Sequence, residues 1–93
     1  MYYLLMISER NGCDVKKFAD EHDLIVYCRN KFEFSYKDCK DLEELDYNLY
    51  MLDDYNFCHF YESKGEMLKD ILECKFDIDD KIGLLREYFE LKE

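Results

Sequence analysis

Cys58-His59 sets a thiol beside an imidazole, the two groups from which a thiolate nucleophile and its base are assembled. The surrounding stretch, Phe57 to Glu62, is strongly aromatic and reads as a strand, where neighbouring side chains point to opposite faces. The two groups therefore cannot serve each other, and His59 reads as a half-buried cross-strand residue. Asp77-x-Asp79-Asp80 has the spacing of a calcium loop's opening, but such a loop needs Gly at its sixth position and an acid at its twelfth. Those positions are Ile82 and Tyr88, so the acids fit better at a helix start, where the macrodipole favours carboxylates. Gly65 and Gly83 are isolated and form no phosphate-binding loop. None of Ser8, Ser35 and Ser63 lies in a nucleophile elbow.

The five cysteines are Cys13, Cys28, Cys39, Cys58 and Cys74. Their number is odd and no two form a CxxC pair, which speaks against a disulfide framework and against a zinc site. They read as reduced, small apolar fillers, which implies a cytoplasmic location. The N-terminal apolar run ends at Ser8 and lacks a basic flank, too short for a signal peptide or membrane span. No catalytic residue, metal site or cofactor is expected.

Charge is the remaining signal. The chain carries a formal net charge of -10 on 93 residues. Residues 1–36 hold five Lys/Arg against six Asp/Glu, whereas residues 37–93 hold eight against seventeen. The densest stretch sets Asp38, Asp41, Glu43, Glu44, Asp46, Asp53 and Asp54 against Lys40 alone. A surface of that kind repels nucleic acid and anionic lipid and attracts basic protein surfaces. An apolar content of 48 % and an aromatic content of 17 % exceed what a disordered acidic tail would carry. The chain is expected to fold as one domain over 1–93.

The elements that must position these acids follow from periodicity. Tyr2 to Ile7 is an apolar run that predicts a strand buried on both faces. Arg10-Asn11-Gly12 is a turn signal. Asp14 is placed to cap a short helix with Val15, Phe18 and Ala19 inside, ended by the acids around His22. Leu24 to Cys28 and the alternating Lys31 to Lys37 predict a hairpin about Arg29-Asn30. Over 41–52, Leu42, Leu45, Leu49 and Leu52 form a helical stripe, and Asp41 with Glu44 resembles a capping box. Leu45, Tyr47, Leu49 and Met51 also alternate with period two; cap and stripe together favour helix. Ser63, with Glu66 three residues on, caps a helix with Met67, Leu68, Ile71 and Leu72 inside. A last helix from Asp77 or Asp79 would turn Ile82, Leu85, Tyr88 and Phe89 inward. The expected class is α+β, in the β-α-β-β-α-β order of ferredoxin-like domains with one or two C-terminal helices, an architecture that hosts many functions.

If 41–52 is helical, Glu43, Tyr47, Tyr50 and Asp54 fall on its outward face. Carboxylates around exposed tyrosines make a binding face: tyrosine is a low-entropy anchor enriched at hot spots, and the acids steer Lys and Arg. The expected partner site is Asp38, Asp41, Glu43, Glu44, Asp46, Tyr47, Tyr50, Asp53 and Asp54. The expected partner is a basic protein surface, that of a nucleic-acid-binding enzyme, with no direct contact to nucleic acid or membrane. The chain is similar in kind to the small acidic inhibitors of phages and mobile elements, anti-CRISPR proteins among them, that imitate DNA. A regulatory or adaptor module that forms a homodimer through a strand edge or the C-terminal helices is one alternative, and a small enzyme is the other.

Overall fold

A computed structural model describes residues 1–8, 10, 12–53 and 55–91. Strand β1 (Tyr2–Ser8) runs through the middle of a three-stranded sheet of order β2-β1-β3. It pairs antiparallel with β2 (Gly12–Phe18) in the register Leu5↔Val15, and with β3 (Phe57–Tyr61) in the register Leu5↔His59. The uninterrupted apolar sequence of β1 follows from its place, because both faces of the sheet are covered. Leu4 and Met6 pack with Leu24, Ile25, Cys28, Leu45 and Leu49 of helices α1 (Glu21–Phe32) and α2 (Leu42–Tyr50). Tyr3, Leu5 and Ile7 pack on the other side with Met67, Ile71 and Leu84 of α3 (Lys64–Glu73) and α4 (Ile78–Glu90).

The result is α+β with three layers, and its order is β-β-α-α-β-α-α in place of the ferredoxin-like one. Two segments account for the difference. Residues 12–18 form a strand rather than a helix. Cys13 and Val15 join the Leu5 face while Phe18 joins the Leu4 face, a period of two that pairing with β1 rewards and a helix would waste. Gly12 enters this strand at φ 71, where a residue without Cβ is strain-free.

Residues 24–37 form no hairpin. The acids around His22 open α1 rather than closing a helix, so His22 lies in a first turn and not at a C-terminus. The Asp20 carboxylate accepts the Asp23 N–H at 2.9 Å. Leu24, Ile25 and Cys28 then form a buried helical stripe. The apparent alternation of Phe32, Phe34 and Tyr36 straddles a helix end: Glu33 sits in the left-handed region at φ 58, and the Phe34 N–H returns to the Arg29 carbonyl at 3.1 Å. A glycine fits that position without the Cβ strain. Glu33→Gly is expected to raise stability by roughly 0.5–1 kcal/mol, read as an increase in the urea midpoint with unchanged slope.

The remaining elements lie where periodicity puts them. Asp41 accepts the Glu44 N–H at 2.9 Å and Ser63 accepts the Glu66 N–H at 3.0 Å. Three inward assignments fail: Leu72 is 55 %, Ile82 50 % and Phe89 74 % exposed. The inner side of α4 centres on Leu84 instead, flanked by half-buried Leu85 and Tyr88.

Candidate partner-binding site

Helix α2 turns Leu45 and Leu49 into the core and leaves Tyr47 66 % and Tyr50 85 % exposed. The i, i+3, i+4 spacing of the helix makes both statements one. Its outward face borders an open cleft of about 540 Å³, walled by Glu43, Asp46, Tyr47 and Tyr50 and closed by Tyr55 to His59. Because Phe57, Cys58 and His59 alternate in direction yet all line it, the cleft runs along the outer edge of β3, the side with no strand partner. Among the described residues, no Lys or Arg lines it.

Seven of the nine expected site residues separate into two groups. Glu43, Asp46, Tyr47 and Tyr50 gather at the cleft. Asp38, Asp41 and Glu44 instead organise the entry to α2. Ser35 Oγ donates to the Asp38 carboxylate at 2.7 Å, Asp41 is the N-cap, and the Glu44 carboxylate accepts the Lys40 N–H at 3.1 Å. These hydrogen bonds hold the three acids in place without neutralising them, so their charge still adds to the field. Asp53 is exposed beyond the end of α2 and does not line the cleft. Asp54 lies outside the described residues.

His59 joins the site from β3. Its Nδ1 lies 3.4 Å from the Asp46 carboxylate, with the two side chains 41 % and 56 % exposed. Asp46 comes from the helix that covers the Leu4 face, whereas His59 pairs with Leu5 and packs edge-on against Tyr61; the contact passes round the edge of β3. An exposed pair of this kind contributes little to stability and serves to fix the Asp46 side chain. Sequence reasoning left His59 out of the site because only the packing of α2 on β3 brings positions 46 and 59 together.

All five thiols hold their protons more tightly than a free cysteine. Cys58 packs into the α1/α2 core while His59 faces away, and burial pushes the Cys58 thiol up to about 12. Burial, then the Asp80 carboxylate that accepts its S–H, pushes Cys13 up to about 11. Cys28, Cys39 and Cys74 are also raised, chiefly by burial. Each thiol holds its proton to higher pH folded than unfolded, so the unfolded chain loses protons first above about pH 9. Stability is therefore expected to be level at neutral pH and to fall between about pH 9 and 12. The slope is as much as ~1.4 kcal/mol per pH unit for each of the well-buried thiols Cys28 and Cys58 and smaller for the partly solvated Cys13 and Cys74, measurable as a falling urea midpoint. A midpoint flat to pH 11 would contradict the assignment. Among the described residues no group of three His, Cys, Asp or Glu is placed to hold a metal ion. No helix among them is long and apolar enough to cross a membrane.

No family model matches the chain, and comparison with curated proteins and with solved structures finds none similar to it.

Proposed function

We propose that this protein is an acidic binding module that docks the α2–β3 cleft onto a basic protein surface. The observation that carries the reading is the convergence of Glu43, Asp46, Tyr47 and Tyr50 on one open cleft that, among the described residues, no Lys or Arg lines. Two tyrosines this exposed are more apolar surface than solubility calls for, and a flanking carboxylate for each makes them anchors for a Lys- or Arg-bearing partner. The same arrangement supports the finer proposal of an inhibitor that occupies the nucleic-acid groove of a nuclease or similar enzyme, as an anti-CRISPR protein of a phage would. Glu43 and Asp46 lie about one helical turn apart, roughly 5 Å, against one phosphate charge per about 1.7 Å along duplex DNA. The cleft acids thus match a few phosphate positions, and the tyrosines supply the contact area. Thiols that stay protonated at neutral pH and a His59 held by Asp46 favour binding over catalysis.

The test is capture of partners from the cytosol of the source cell, by the wild-type chain and by an E43K/Y47A/Y50A variant. Retention of a nucleic-acid-binding protein that duplex DNA displaces, and that the variant loses, is the expected result. Retention indifferent to both DNA and the substitutions would overturn the reading.

A further inference from the structure

On the opposite layer from the cleft, α4 presents a second surface of different character. Ile78, Ile82, Leu85 and Phe89 follow one another at intervals of 4, 3 and 4 residues, the spacing of a coiled-coil seam. Ile78 and Phe89 are each 74 % exposed and Ile82 50 %; Leu85 is half-buried. The patch continues onto α3, where Leu72 is exposed and its carbonyl accepts from Lys81 Nζ at 3.2 Å. Leu84, on the reverse of α4, is fully buried against the sheet, so the stripe cannot turn inward without emptying the core.

From this stripe we infer that the protein forms a homodimer through antiparallel packing of α4 on α4 of a second copy. The charges beside the stripe choose the occupant and its direction. Asp79 and Arg86 lie two turns apart on the same side of the seam. In an antiparallel pair with its dyad between Ile82 and Leu85, Asp79 of each copy comes beside Arg86 of the other, giving two opposite-charge contacts. In a parallel pair, the flanking residue that faces Arg86 across the seam is Lys81 of the other copy, a like-charge contact. The antiparallel arrangement also sets each helix dipole against the other's opposite end. An anionic lipid surface is disfavoured as occupant by Asp79, Asp80 and Glu90 on the same helix. Since α2 covers the other face of the sheet, the dimer leaves both clefts open and would bind a partner of repeating structure with two contacts at once.

Sedimentation equilibrium across a wide concentration range tests this, with circular dichroism as a check on folding. The wild type is expected to be a reversible dimer. I82E and F89E, both at exposed positions, are expected to raise the dissociation constant by about tenfold or more. R86E should weaken the dimer by roughly fivefold, and D79K/R86E, which restores opposite charges across the dyad, should recover most of the loss. A monomer at all concentrations, or a dimer indifferent to I82E and F89E, would overturn the inference. Weakening by R86E with no recovery in D79K/R86E would overturn the antiparallel pairing.

Discussion

Replacement of Tyr47 and Tyr50 by alanine is expected to abolish partner binding while leaving the fold intact. Truncation of a tyrosine hot spot costs ~2 kcal/mol or more, roughly thirtyfold in affinity, and the pair together removes most of the contact area that α2 offers. Neither ring belongs to the core: Tyr50 is 85 % exposed and Tyr47 66 %. The melting temperature of the double variant should therefore stay within a few degrees of wild type. Calorimetric titration against the captured partner separates the two quantities. Asp41→Ala is the informative contrast. It deletes the α2 cap, costs about 1 kcal/mol of stability, and leaves every cleft residue in place. If D41A impaired binding as severely as Y47A/Y50A at a temperature where both are folded, the cleft would not be the contact surface.

The second large effect concerns the middle strand. Leu4 and Leu5 are both fully buried, and they point into different halves of the core. Leucine-to-alanine changes at such sites cost about 2.7–5 kcal/mol each, against a total stability of roughly 5–15 kcal/mol for a domain. Either single variant should lower the urea midpoint markedly, and L4A/L5A should be largely unfolded at room temperature by near-ultraviolet circular dichroism. A loss below about 1 kcal/mol for Leu5→Ala would mean that α3 and α4 do not close over that face of the sheet.

The parts of the fold that were readable from sequence are those with local signals. Asp41 and Ser63 announce their helices because a capping side chain and the residue whose N–H donates to it sit three residues apart. Tyr2 to Ile7 announces a doubly buried strand because no charged or small polar residue interrupts it before Ser8. The parts that were misread depend on pairing over distance. Residues 12–18 are too short and too mixed to declare a period, and only alignment against β1 makes Val15 the partner of Leu5. The Phe32, Phe34 and Tyr36 series imitates a strand because a left-handed Glu33 folds the chain back just after α1, and nothing in the residue type of Glu33 marks that turn.

The site divides along the same line. Tyr47 and Tyr50 were identifiable as outward-facing once Leu45 and Leu49 were assigned inward. That Asp38, Asp41 and Glu44 are held by backbone and side-chain hydrogen bonds at the start of α2 was half visible: the capping box predicted the Asp41 role, and the Ser35–Asp38 turn required the structure. The contribution of β3 could not be read, because Asp46 and His59 meet only when α2 packs on the sheet. The sequence of α4 points Ile82 and Phe89 inward and the structure turns them out, since a hydrophobic period gives a direction relative to the helix but not relative to the rest of the molecule.

The central claim, that the acidic cleft between α2 and β3 recognises basic protein surface, is tested most directly by nuclear magnetic resonance. The backbone amide spectrum would be titrated with an arginine- and lysine-rich peptide at low salt and again at roughly 0.3 M salt. The account predicts shifts that saturate and concentrate at Glu43, Asp46, Tyr47, Tyr50 and residues 57–59, with affinity falling severalfold at the higher salt. Shifts spread evenly over every acidic patch, or centred on the termini of α4, would contradict it.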